Sequence, residues 1–238
     1  MFYKHRWPVP ENVGIAMTTR YGGVSMPPFD SLNLALHVED DKAHVQANRE
    51  RLKTKLGLNV DPTWLEQVHG TEVVSLPQKG VPVADGSHSN QVGQVCVVMT
   101  ADCLPVLLCN DEGTEVSALH AGWRGLCDGV IESGVAKFQS QPQSIRAYLG
   151  SAISAQAFEV GAEVKQAFVN RDDMAEECFK PFGHKFLADL QGLAVQRLHS
   201  LGIKQIYLSN QCTFSSSDYF SYRRDGLTGR QASLIWIK

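Results

Sequence analysis

Apolar and polar positions alternate along this chain in short blocks, and the clearest series lies between Val95 and Leu126. Val95 to Met99 is an apolar run. A polar break, Thr100-Ala101-Asp102-Cys103, separates it from a second run, Leu104 to Cys109. Asn110-Asp111-Glu112-Gly113 has the chemistry of a loop, and Val116 to Leu119 then leads to His120. Two β-like runs around a short Gly-containing loop predict a hairpin. A loop centred near Glu112 sets Cys103 opposite His120 across the two strands, at a Cβ separation of roughly 4.5–5.5 Å. Gly122-Trp123-Arg124-Gly125 follows and leads into a helix over Leu126 to Phe138, marked by Leu126, Val130, Ile131, Val135 and Phe138.

The rest of the chain reads as further short elements. Asn12 to Thr18 alternates like a half-buried strand, and Arg20 sits at its end before the Gly22-Gly23 pair, placed to meet an anionic group. Asp41 caps a helix with Val45, Leu52 and Leu56 inward, ending near Gly57. Trp64 to Val68 and Thr71 to Leu76 are β-like around a tight turn at His69-Gly70. Val81 to Val92 is polar and reads as a loop, with His88 in solvent. Ile145 to Leu149 and Ile203 to Leu208 read as strands, and Glu163 to Val169 and Asp189 to Leu201 as helices. Tyr219 to Arg223 and Gln231 to Ile237 read as a terminal hairpin turning at Asp225-Gly226. Strands and helices alternate without a strict βαβ rhythm, which predicts mixed sheets with flanking helices in one α+β layered domain over 1–238.

Bulk properties narrow the partners. The chain has 238 residues, 43% hydrophobic, with net charge −3, which argues against a nucleic-acid polymer as the main partner and leaves room for a small phosphorylated ligand held by a few arginines. Neither a secretory signal nor a run of roughly 20 apolar residues is present, so no membrane association is expected. The six cysteines form no C-x-x-C pair and read as reduced cytoplasmic thiols.

A cysteine and a histidine converging at a strand end permit two chemistries. In one they bind Zn²⁺, whose catalytic sites use three protein ligands and keep a position open. His69, at its turn, is the best-placed third ligand, and the ion would lower the pKa of bound water to about 7. In the other, Cys103 is a nucleophile activated by His120, with Asp102 a candidate to orient the imidazole. The free N–H groups of the helix after Gly122, with Arg124 beside them, make an anion site. A multicopper site would need about ten histidines; the chain has 8 and no H-x-H, so copper is disfavoured.

At these residues the sequence resembles the YfiH-type laccase-domain family, variously named polyphenol oxidases, purine nucleoside phosphorylases and peptidoglycan editing factors. The matching segments are TTRYGGVS, FDSLNLALHVEDD with the later NRERL, QVHG, TADCLPVLL, HAGWRGL, LGSAIS with FEVG, and SYRRDGLTGRQASLIWI. The resemblance implies a single zinc held by His69, Cys103 and His120. It implies a layered α/β sandwich similar to the cysteine-hydrolase domain of cytotoxic necrotising factor toxins. It also implies phosphorolysis of adenosine, guanosine, inosine and methylthioadenosine, deamination of adenosine, and, in bacterial members, removal of L-serine from peptidoglycan precursors. Arg20 or Arg124 is then expected to position phosphate. Two positions depart from the family pattern. Gly150-Ser151-Ala152 replaces a commoner Gly-Pro-Ala, and Asp85-Gly86 stands where Asp-Ala is more usual, which leaves Asp85 a minor candidate.

Overall fold

The computed structural model describes residues 1–238. Its strands are β1 (Val13–Met17), β2 (Val73–Ser75), β3 (Gly86–Ser89), β4 (Val95–Thr100), β5 (Leu104–Asn110), β6 (Val116–Ala121), β7 (Ile145–Leu149), β8 (Glu159–Val160), β9 (Phe179–Phe182), β10 (Lys185–Ala188), β11 (Gln205–Leu208) and β12 (Gln231–Ile237). Its helices are α1 (Lys42–Leu56), α2 (Trp123–Asp128), α3 (Val130–Val135), α4 (Ala162–Val169), α5 (Leu190–Ser200) and α6 (Tyr222–Asp225). A six-stranded sheet runs β11-β7-β5-β6-β3-β2, and three-stranded sheets run β1-β12-β4 and β8-β10-β9. The large sheet is mixed: β11 is parallel to β7 and β2 to β3, while β7, β5, β6 and β3 pair antiparallel.

Strand β5 shows why this chain forms layers. All seven of its residues are buried. Side chains alternate between the two faces of a strand, so Leu104, Val106 and Leu108 join a core with α2, α3 and α5, and Leu107 and Cys109 join another. That second core also takes Cys96 and Val98 from β4 and Ile235 and Ile237 from β12. On the far face of β4, Val95, Val97 and Met99 pack with Leu34 and with Leu52 of α1. The order is therefore helices, large sheet, small sheet, and α1 with its loop. Strands β4 and β5 carry unbroken apolar runs because each is covered on both faces.

Local signals set several boundaries. The Asp41 carboxylate accepts from the Ala43 N–H at the start of α1, and Gly57 closes it at φ 63°. Asn48 of α1 is buried. Its amide donates to Ser25 Oγ and to the Ser31 and Asn33 carbonyls, and it accepts from the Val24 N–H. One side chain thus orders the loop between β1 and α1.

Four expectations are corrected. The segment expected to be a solvated loop contains β3, and His88 is only 5% exposed; the strand was hidden because its residues, Gly-Ser-His-Ser, are small or polar. A Cβ on Gly86 would lie 2.6 Å from Leu119 Cδ2, so any larger residue at the strand's start requires that side chain to shift. Trp64 to Val68 makes one isolated bridge, Glu66 to Val83, and no strand. There the Gln67 amide replaces a strand partner, accepting from the Met99 N–H and donating to its carbonyl. The helix expected from Leu126 starts at Trp123 and breaks at Gly129, whose φ is 109°. Tyr219 to Arg223 is no hairpin arm, because β12 pairs with β1 on one edge and β4 on the other, leaving no free edge. Tyr222–Asp225 instead forms the short α6, capped by Ser221 Oγ.

Candidate metal centre and cleft

β5 and β6 do pair, but their register differs from the expected one. Pro105 faces His120, and Leu104 faces Ala121. The turn is wider than a two-residue loop: Asn110 Oδ1 accepts from the Thr114 and Glu115 N–H groups. Cys103 therefore lies just before β5, nearer the level of Gly122 than of His120. Convergence survives this slip because Cys103 stands in a bend. Asp102 is in the left-handed region at φ 85°, and its carboxylate accepts from Thr213 Oγ1 at 2.6 Å and from the Arg223 N–H at 2.6 Å. Asp102 does not orient the imidazole, as it faces these two partners.

That position belongs to Asp85. This carboxylate is fully buried, one residue before β3, and its Oδ1 lies 2.7 Å from His120 Nδ1. The same carboxylate accepts from the N–H groups of Val68 (3.1 Å), His69 (3.0 Å) and Gly70 (2.6 Å). Those bonds offset the strain of His69, whose φ of 60° is uncommon for a residue with a side chain. One buried anion thus fixes the histidine turn and the histidine ring together. Burial pushes the Asp85 carboxyl up, but hydrogen bonds from His120 and Gly70 outweigh that and hold it below the usual range.

Ligand atoms of His69, Cys103 and His120 all lie within 4.8 Å of one another. The two imidazoles meet edge to face at 4.7 Å between centroids. Gly122 leaves the space they need: a Cβ there would stand 2.8 Å from His69 Nδ1 and 3.1 Å from Cys103 Sγ. Burial raises the Cys103 thiol, yet hydrogen bonds from His120 and then His69 bring it well below its usual value. Burial likewise lowers His120, and its bonds to Asp85 and Cys103 more than reverse this. A thiolate and two imidazoles form a donor set suited to one transition-metal ion. The carboxylate behind His120 is the outer partner that fixes tautomer and ring orientation in such sites. No other group of three or more His, Cys, Asp or Glu side chains can hold a metal.

The three side chains open into a cleft of about 420 Å³, whose other walls include His37, Thr100, Tyr222 and Arg230. Arg230 is fixed there by Nη1–H bonds to the Thr228 and Gly229 carbonyls. Neither arginine expected from the sequence lines this cleft. Arg20 donates through Nε and Nη2 to Asp30 and lies over the Phe220 ring. Arg124 is exposed, with its guanidinium over Trp123. Asp85 and Arg230 carried no strong linear signal. Asp85 sits in a polar stretch, and Arg230, like Arg223 and Arg224, reads equally well as a structural ion-pair partner or a ligand contact.

No helix of the protein is long and apolar enough to cross a membrane. Residues 14–238 match the family described as multi-copper polyphenol oxidoreductase laccase. The chain is 52% identical to purine nucleoside phosphorylase YfiH of Escherichia coli over 237 residues, covering 98% of this chain and 97% of that protein. It is 50% identical to a purine nucleoside phosphorylase of Haemophilus influenzae, with the same coverage. A crystal structure of a Neisseria meningitidis protein from family DUF152 superposes with a TM-score of 0.95 at 46% identity, covering 100% of this chain and 99% of that one. With this coverage and identity, the chain belongs to the polyphenol oxidoreductase laccase (DUF152/YfiH) family.

Proposed function

We propose that this protein is a zinc-dependent purine nucleoside phosphorylase acting on adenosine, inosine, guanosine and methylthioadenosine, with adenosine deaminase activity. One observation carries the reading: a cysteine sulfur and two imidazoles share a cleft with a fixed arginine. The names of its near-full-length relatives support it.

In phosphorolysis the C1′–N9 bond breaks and a phosphate oxygen closes on C1′. The base leaves with the bonding pair and takes up a proton. Arg230 is assigned to phosphate, since it enters the cleft where Arg20 and Arg124 do not. Its bonds to two carbonyls fix the guanidinium before substrate arrives, which lowers the entropy of positioning. The Thr100 hydroxyl, buried in the cleft wall without a partner, is available to a ribose hydroxyl. His69, Cys103 and His120 would hold the ion, and Asp85 fixes the two histidines. Zinc, when bound there, would supply a Lewis acid. A multicopper oxidase mechanism does not suit a chain with one three-residue ligand group.

The test is protein of measured metal content incubated with adenosine, with and without phosphate. Adenine plus ribose 1-phosphate in the first case, and inosine in either, are expected. Absence of all three products contradicts the reading.

A second reading is favoured by the order thiol, imidazole, carboxylate in Cys103, His120 and Asp85. That is the arrangement of an activated cysteine nucleophile, and it fits an amidohydrolase of the toxin-like fold removing L-serine from peptidoglycan precursors. A trapped acyl-enzyme, or activity that survives metal removal, selects this reading; strict zinc dependence excludes it.

A further inference from the structure

His37 and Met99 form one wall of the cleft. Both residues also border a second, mostly apolar cavity of about 240 Å³, whose walls include Leu36, Trp64 and Val81. Met99 stands between the two cavities, its backbone N–H and carbonyl both bonded to the Gln67 amide. Beyond it the Arg49 guanidinium lies 3.8 Å over the Trp64 ring. Its Nε–H donates to the Leu34 carbonyl, which fixes that planar cation in place.

We propose that this second cavity seats the purine base, while the ribose and phosphate occupy the first. The proposal rests on the phosphorylase reading and names the residues that would select its substrate. Flat heteroaromatic rings pack on indole and guanidinium planes, and Trp64 with Arg49 offers both. Leu36 is 41% exposed and Val81 61% exposed. Two aliphatic side chains flanking a cavity that shares His37 and Met99 with the cleft are the exposed apolar surface a ligand would cover. Glu66 also borders the cavity and makes no ion pair or side-chain hydrogen bond, so its carboxylate is free to accept from a ring N–H or exocyclic amine. His37 and Met99, which both cavities share, would then flank the C1′–N9 bond.

The experiment is calorimetric titration of free adenine into the intact protein and into Leu36→Ala/Val81→Ala, with steady-state kinetics on both. Both positions are exposed, so the melting temperature should not change. Adenine Kd and nucleoside KM should each rise about tenfold, equivalent to ~1.4 kcal/mol, with phosphate KM unchanged. Val81→Trp, which fills the cavity, should act in the same direction. Equal adenine affinity in wild type and both variants overturns the proposal, as does an absence of adenine binding to wild type. If wild type binds adenine and the variants lose it, yet phosphate never splits adenosine, the base seat stands and the phosphorylase reading fails.

Discussion

His120 Nδ1 lies 2.7 Å from Asp85 Oδ1, and that same carboxylate collects the backbone N–H groups of Val68, His69 and Gly70. The two histidines at the centre are therefore held by one side chain. Replacing Asp85 by Asn keeps the volume but puts an amide NH₂ among donors. Metal affinity should fall about 10–100-fold, read by competition with a chromogenic chelator. Unchanged affinity would show that the carboxylate does not support the ligands.

Gly122→Ala isolates the space between the ligands. Its backbone, at φ −64° and ψ 157°, accepts any residue, so the fold should persist. The added methyl would crowd His69 Nδ1 and Cys103 Sγ. Circular dichroism and melting temperature should stay near wild type while bound metal per chain drops severalfold. Full metal content in the variant would place the ion elsewhere.

The geometry of the centre shows what the sequence reveals. Cys103 and His120 stand at breaks in apolar periodicity, where strands end and side chains face open space, and His69 stands at a turn. Those signals are local and legible. The pairing register was not, because it depends on how the Asn110 side chain widens the turn. β3 was invisible because burial between two strands does not require apolar residues when most side chains are as small as those of Gly86, Ser87 and Ser89. Asp85 and Arg230 reach the site only through long-range packing, which no spacing rule encodes. Arg20 showed the reverse: a suggestive position whose charge is taken up by Asp30.

Asp102 ties the bend before Cys103 to the C-terminal segment. Asp102→Ala removes two short bonds, to Thr213 Oγ1 and the Arg223 N–H, and leaves a left-handed φ. Bonds to charged groups contribute about 1.5–3 kcal/mol each, so a stability loss of about 3 kcal/mol is expected in urea unfolding. Thr213→Val should lose about half as much. A loss below about 0.5 kcal/mol would mean that the clamp contributes little.

Acid sensitivity should trace in part to His88. Burial lowers its pKa, with Lys137 adding to this and Glu115 opposing it. The unfolded chain takes up this proton near the ordinary histidine value, 6.5, and the folded chain only at lower pH. Between those values the unfolded state binds more protons, so stability falls as pH is lowered from about 6.5. Stability measured from pH 7.5 to 5 should slope downward, and His88→Leu should flatten that slope. An identical slope in the variant contradicts the assignment.

Stoichiometric reconstitution is the most direct test of the central claim, that His69, Cys103 and His120 hold one catalytic ion. Metal-free protein would be titrated with zinc while ribose 1-phosphate formation from adenosine and phosphate is followed. Turnover should be absent at the start, rise linearly and saturate at one zinc per chain, and stay absent in Cys103→Ala. Turnover by the metal-free protein, or saturation only well beyond one ion per chain, would contradict the account.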